Sequence, residues 1–290
     1  MATRRSSLKH LILAASARLA RFGALLLTLL TAFLVMPLNA QSADIEVDVE
    51  LVLAVDVSRS MSPRELEIQR RGYAEALTSN EVISAITGGL LGQVAVQYVE
   101  WAGSKSQRII VDWTLIGGLA AARSFAARLT AHFDSSMRRT SISGALQFAA
   151  RQFDGNGFVS HRRIIDISGD GPNNQGRPVL AARGETLARG IVINGLPLMT
   201  REGLGSQFYL RDLDAYYRNC VTGGPGSFVL PVLDWKQFPL AVRYKLVMEL
   251  AMPAPPPAIR PIYIRNAEDA YDCLIGEKIW EDFMDDWISP

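Results

Sequence analysis

Leu51-Val52-Leu53-Ala54-Val55-Asp56-Val57-Ser58-Arg59-Ser60 runs from an apolar stretch straight into a carboxylate and two hydroxyls. Continuous rather than alternating apolarity marks a strand buried on both faces, as at the centre of a parallel sheet. The spacing predicts that strand over Val47 to Val57. The loop leaving it carries Asp56, Ser58 and Ser60, three oxygen donors spaced by two. Hard divalent cations prefer such donors. Serine and aspartate also cap helices and form turns, so this loop alone leaves local capping equally open.

Downstream, Ser62-Pro63-Arg64-Glu65 combines an N-cap, a proline at the first helical position and a capping box, which predicts a helix to about Ser79. Gln93 to Glu100 and Arg108 to Leu115 read as strands joined through Gly103-Ser104-Lys105-Ser106, a link so short that the pair must be antiparallel. Helices are expected over Gly117 to His132, Ile142 to Phe153, Ala181 to Arg189, Leu210 to Asn219 and Trp235 to Leu250. Strands are expected over Arg163 to Ser168, Ile191 to Leu198 and Phe228 to Val232. Strands alternating with helices at these intervals imply an α/β fold, a doubly wound and mostly parallel sheet with one antiparallel edge strand. Ligands in such sheets sit at the carboxyl ends of the strands, where Asp56 and Asp170 both fall.

The ends of the chain differ from this middle. Residues 1–43 carry Arg4, Arg5, Lys9, Arg18 and Arg21, then an apolar run from Phe22 to Met36 and a small-residue exit, the pattern of a secretory signal peptide cleaved after Ala40 or Ala43. The alternative is a retained membrane anchor, for which the apolar run is short. Arg4-Arg5 with Leu8-Lys9 resembles a twin-arginine export signal, with Ser7 in place of the usual bulky residue. Cleavage would leave 25 basic residues against 29 acidic ones, the wrong balance for a nucleic-acid binder. Cys220 and Cys273 are the two cysteines, and in an oxidising periplasmic or extracellular compartment a disulfide is expected over metal binding. The domain proper spans residues 44–251, a proline-rich spacer 252–265, and an amphipathic C-terminal helix 266–290. In that tail Tyr271, Ile275, Ile279, Phe283 and Trp287 recur every four residues, a stripe for packing on its own domain or on a partner protein.

Three segments carry chemistry in order: Asp56-x-Ser58-x-Ser60, Thr140 opening Thr140-Ser141-Ile142-Ser143-Gly144, and Asp170-Gly171 after a strand. On this fold they resemble the metal-ion-dependent adhesion site of the von Willebrand factor A domain family, over about Val47 to Ala251. Asn194-Gly195-Leu196-Pro197, Gly223-Gly224-Pro225-Gly226 and Arg243-Tyr244-Lys245-Leu246 are similar to an exported bacterial branch with no assigned function. The resemblance implies that Ser58, Ser60 and Thr140 offer hydroxyl oxygens to Mg²⁺, with Mn²⁺ or Ca²⁺ as substitutes, while Asp56 and Asp170 balance its charge. It implies binding rather than catalysis: an acidic protein or peptide ligand completes the metal's coordination. Where the family often has glycine, this chain has Arg59, Arg138 and Arg139. They either face solvent or ring the metal and favour an anionic ligand.

Two other classes compete. A haloacid-dehalogenase-like phosphatase would use Asp56 as nucleophile and Gly169-Asp170-Gly171 for Mg²⁺, but it needs a second carboxylate where Ser58 stands. A structural scaffold would keep the fold with an idle metal site. A serine hydrolase lacks its G-x-S-x-G elbow, and no P-loop or G-x-G-x-x-G turn follows the first strand. Trp101 and Trp113, flanking the hairpin, read as packing or edge protection.

Overall fold

A computed structural model describes residues 43–132, 137–200, 209–251 and 271–288. The expected signal peptide (but for its last residue) and the expected proline-rich spacer lie outside the described residues. The chain divides into two units, Met1–Ala43 and Asp44–Pro290, and the fold is that of the second.

Strand β2 (Glu50–Asp56) is buried along its whole length. It pairs in parallel with β3 (Val94–Trp101) on one side and with β6 (Arg163–Gly169) on the other. Strand β4 (Gln107–Ile116) adds antiparallel to β3, and β7 (Ile191–Pro197) adds parallel to β6, giving the order β4-β3-β2-β6-β7. A separate pair joins β1 (Ile45–Glu46) to β5 (Phe158–Val159). The apolar run explains the central position of β2, because its side chains serve two cores. Leu51, Leu53 and Val55 pack with α1 (Pro63–Leu77), α2 (Asn80–Thr87), α3 (Leu119–Leu129) and α7 (Phe238–Leu250). Val52 and Ala54 face the opposite core, under α4 (Ile142–Arg151) and α5 (Val179–Ala188). From β2 the chain crosses first to β3 and later, from the far edge, to β6, so the carboxyl ends of β2 and β6 flank the point where the winding reverses. A ligand crevice is expected there.

The capping box that opens α1 is formed in full: Ser62 Oγ accepts from Glu65 N, and Glu65 Oε2 accepts from Ser62 N at 2.6 Å. Three expectations differ from the fold. The first helix ends at Leu77, and Ser79, its expected last residue, instead caps α2 by accepting from Val82 N. Phe228 to Val232 follows β7 through single contacts, such as Leu230 N donating to Gly195 O at 2.9 Å, without a continuous ladder. Pro231 and Pro197 lack the N–H groups that a ladder needs. The helix expected over Leu210 to Asn219 is a single α-turn, α6 (Leu213–Tyr216), that widens into a π-helical turn over Tyr217–Val221. The last helix, α8, spans Ile275–Ile288. Among the described residues no helix is long and apolar enough to cross a membrane.

Candidate metal centre

Asp56 ends β2 and is fully buried. Its Oδ1 accepts from Ser58 N at 2.7 Å, the short-range turn that aspartate favours, and Gln69 of α1 holds its carbonyl by donating from Nε2 at 3.1 Å. This turn brings Ser58 and Ser60 to one side of the loop, with their hydroxyls 2.9 Å apart. Ser60 Oγ then donates to Asp170 Oδ1 at 2.9 Å. Asp56, Ser58, Ser60 and Asp170 are thus brought together at the carboxyl ends of β2 and β6. Thr140 is tied to the loop after Asp170 through Asn174, whose Oδ1 accepts from Thr140 N at 3.0 Å and whose N donates to Thr140 O at 2.9 Å. Met137 N donates to Val57 O, which lays the 137–140 segment against the first loop.

The electrostatics of this cluster are those of two carboxylates short of counter-charge. Burial, followed by the nearby Asp170 charge, pushes the Asp56 carboxyl well above the ordinary range. Burial likewise raises Asp170 to about 6, with the Ser60 hydrogen bond opposing and Glu65 adding to the rise. The second oxygen of Asp56, Oδ2, is buried with no hydrogen-bond partner among the described residues. An orphaned carboxylate oxygen at this depth is costly unless a cation or donor meets it. The donor set of two carboxylates and three hydroxyls, all oxygen, fits a hard divalent cation. Among the described residues no group of three or more His, Cys, Asp or Glu side chains is placed to hold a metal ion, so a cation here would depend on the hydroxyls.

Several residues at the site carry no sequence signal of their own. Gly169 leaves room for a close approach: a Cβ there would lie 2.8 Å from Tyr217 Oη, 3.0 Å from Asp56 Oδ2 and 3.2 Å from the Trp101 ring. Tyr217 comes from the π-helical turn, its hydroxyl buried and without a hydrogen-bond partner among the described residues, and burial together with the Asp56 charge raises its pKa. Trp101 is not edge protection but a fully buried wall of the site. Asn173 is the hub of the third loop: its Oδ1 accepts from Ser143 N, its N donates to Tyr216 Oη, and its Nδ2 donates to Glu277 Oε1 at 2.7 Å.

Glu277 belongs to α8, so the C-terminal helix docks at the rim of the site. Cys220 and Cys273 form a disulfide that fastens the chain just ahead of that helix. Tyr271 Oη donates to Asp212 Oδ2 at 2.9 Å. The three arginines behave differently from one another. Arg59 and Arg138 are exposed, whereas the Arg139 guanidinium lies 3.7 Å from the centre of the Trp280 ring. Arg139 also adopts a φ of 74°, the left-handed region where glycine is at ease.

Comparison with known proteins follows the same lines. Residues 46–254 match the family described as "Protein of unknown function (DUF1194)". No curated protein matches the chain. Proximal thread matrix protein 1 from the mussel byssus superposes with a TM-score of 0.53 at 12% identity, over 72% of this chain and 49% of that one. The pilus adhesin SpaC of Lactobacillus rhamnosus GG gives 0.50 at 12% identity, over 71% of this chain and 31% of the adhesin. A von Willebrand factor type A protein from Catenulispora acidiphila gives 0.43 at 16% identity, over 70% of this chain and 42% of that one. This chain therefore spans about half or less of the length of each of these proteins. With a mostly parallel sheet, one antiparallel edge pair and this strand order, the chain has a von Willebrand factor A-like fold and belongs to the DUF1194 family.

Proposed function

We propose that this chain is an exported binding module that captures an acidic protein or peptide through a divalent cation. The observation that carries this reading is the buried Asp56 Oδ2, without a hydrogen-bond partner among the described residues, beside the Ser58–Ser60–Asp170 chain of oxygens. Ser58, Ser60 and Thr140 would hold Mg²⁺, Mn²⁺ or Ca²⁺ through hydroxyls, with Asp56 and Asp170 supplying charge. The mussel byssus protein has also been solved with zinc in its metal-ion-dependent adhesion site, at 13% identity and a TM-score of 0.50. A bound cation would offer an under-neutralised centre for a ligand carboxylate. The exposed Arg59 and Arg138 add positive charge around it, while α8 forms one side of the rim that a ligand must pass. The Cys220–Cys273 disulfide fits an oxidising compartment outside the cytoplasm. Ser58 stands where a phosphatase of the haloacid-dehalogenase type would need its general acid, which favours binding over phosphoryl chemistry.

Calorimetric titration with Mg²⁺, Mn²⁺ and Zn²⁺ tests the metal, and pull-down from an extracytoplasmic fraction with Mg²⁺ or with chelator tests the ligand. The expected result is saturable metal binding lost in Asp170→Ala, together with partners lost in the same variant and in chelator. No metal-linked heat would leave only a scaffold, and metal-dependent phosphatase turnover abolished in Asp56→Asn would replace binding by catalysis.

A further inference from the structure

A second polar cluster lies inside the core between β6 and α7, with no part in the hydroxyl site. Lys245 of α7 is 0% exposed, and Asp166 of β6 and Glu249 of α7 are each 1% exposed. Lysine is almost never buried this fully, and three ionisable groups without water must settle their charges among themselves. Lys245 Nζ sits 2.8 Å from Asp166 Oδ1 and donates to Glu249 Oε1. Asn194 Nδ2 fixes the same Glu249 oxygen at 2.9 Å. Although the amine is this close, neither Asp166 oxygen accepts a hydrogen bond of ordinary geometry from any of the described residues. The amine therefore meets the carboxyl group at contact distance but outside the direction that would make it a settled hydrogen-bond donor. The Phe228 ring lies 5.2 Å from Nζ, and the buried Tyr73 and Tyr98 feel the Asp166 charge, so the surroundings are aromatic and closed.

We propose that Lys245 and Asp166 condense into an intramolecular isopeptide bond, with Glu249 as the catalytic proton carrier. The cluster with one proton shared by its two carboxyls is neutral overall. In its reactive arrangement Nζ is an amine and both carboxyls are protonated. The Nζ lone pair attacks Asp166 Cγ and forms the N–C bond. Glu249 takes a proton from the nitrogen and delivers one to the departing oxygen, the Cγ–O bond breaks, and one water leaves. Glu249 ends as it began, nothing is oxidised or reduced, and no co-reactant is required. Burial and the adjacent Asp166 raise Glu249 to about 7, which suits a carboxyl that both gives and accepts a proton near neutrality. The product replaces two buried ions by a neutral amide and ties α7 covalently to β6. Holding the reacting groups in contact within a rigid core supplies the proximity that amide formation lacks in water.

Intact-mass spectrometry of the full chain, reduced and unfolded in denaturant, decides the matter because no ion pair survives those conditions. The expected mass is lower than that of the processed sequence by one water. Trypsin should then yield a single branched species joining residues 164–183 to residues 244–265, uncleaved at Lys245. Glu249→Gln, which keeps the side chain's shape, should give the full sequence mass and, with Lys245 now cleaved, the separate peptides 164–183, 244–245 and 246–265. A wild-type mass equal to the sequence overturns the proposal. Loss of one ammonia instead of water would assign the bond to Asn194 and overturn the role of Asp166. A Glu249→Gln chain that still cross-links would overturn the role of Glu249.

Discussion

Consider the metal-free protein carried from about pH 4 to about pH 7.5. Asp170 has an ordinary value of 3.8 and a folded-state value of about 6, set chiefly by burial. A carboxyl raised on folding binds more protons folded than unfolded between those two values. Its contribution therefore favours the fold at low pH and is progressively lost as pH rises from about 4 to about 6. About two pKa units at 1.36 kcal/mol each amount to about 3 kcal/mol lost for Asp170 alone. Asp56 shifts in the same direction and adds to the loss. At about 2–4 °C per kcal/mol for a domain of this size, the Asp170 share is a fall of about 6–12 °C in Tm. A divalent cation that pairs with both carboxylates should restore it. Thermal unfolding followed by circular dichroism, in chelator and in millimolar Mg²⁺, reads both effects. Asp170→Asn isolates the group, because its amide resembles the protonated acid: the variant should overtake wild type as pH rises in chelator, and lose the response to Mg²⁺. A wild-type-minus-variant difference that stays flat across pH, with no response to Mg²⁺, Mn²⁺, Ca²⁺ or Zn²⁺, would refute the reasoning.

Reducing the Cys220–Cys273 bridge, or replacing both cysteines by serine, removes a link across 53 residues and should cost about 4 kcal/mol by the chain-entropy relation, read as a lower denaturant midpoint. Gly276→Ala would place a Cβ 2.1 Å from Asn173 O, so α8 must lift from the loop; the expected result is faster proteolytic removal of the tail with the domain left intact. Arg139→Gly relieves a left-handed residue by about 1 kcal/mol and forfeits a cation–π contact of about the same size. Its Tm should stay within about 3 °C of wild type while its metal affinity rises, since a cation beside the site has gone; a large loss of stability would show that the Trp280 contact dominates.

The central strand and the three loops were legible because each depends on local order. Apolar continuity from Leu51 to Val55 marks burial on both faces, and a short link such as Gly103 to Ser106 permits one topology. The disulfide was legible from the pair of cysteines and the exported compartment expected for them. Features that depend on distant partners were not. Ser79 read as a helix end because a capping serine looks the same whether a helix has just stopped or is about to start, and the β-branched Val82 and Ile83 gave α2 little helical signature. Tyr217 sits in a π-turn that shifts side chains by one position, which no 3.6-residue period anticipates. Gly276 is a poor helix former inside α8, yet it is the residue that lets α8 touch the backbone of Asn173. Lys245, Asp166 and Glu249 are residue types ordinarily found on surfaces, and only the packing of α7 on β6 reveals them as one buried group.

The disulfide also bears on how the candidate centre could work. Cys220 lies in the same π-turn as Tyr217, whose hydroxyl shares the space beside Gly169 with Asp56 Oδ2. Cys273 lies two residues before α8, which holds Asn173 through Glu277 and Arg139 through Trp280. Asn173 in turn fixes the start of α4 through Ser143, and its neighbour Asn174 holds Thr140. One covalent bond therefore connects the wall behind Asp56, the loop after Asp170 and the segment that presents Thr140. Moving any of these to admit or release a ligand would strain contacts on all three. If the cluster binds a cation, the sulfur bridge and α8 should raise its affinity by holding the donors in place rather than by adding donors. In that case reduction should weaken metal binding even though Cys220 and Cys273 are not among the proposed ligands. If affinity proves indifferent to the bridge, α8 serves the rim and the ligand alone.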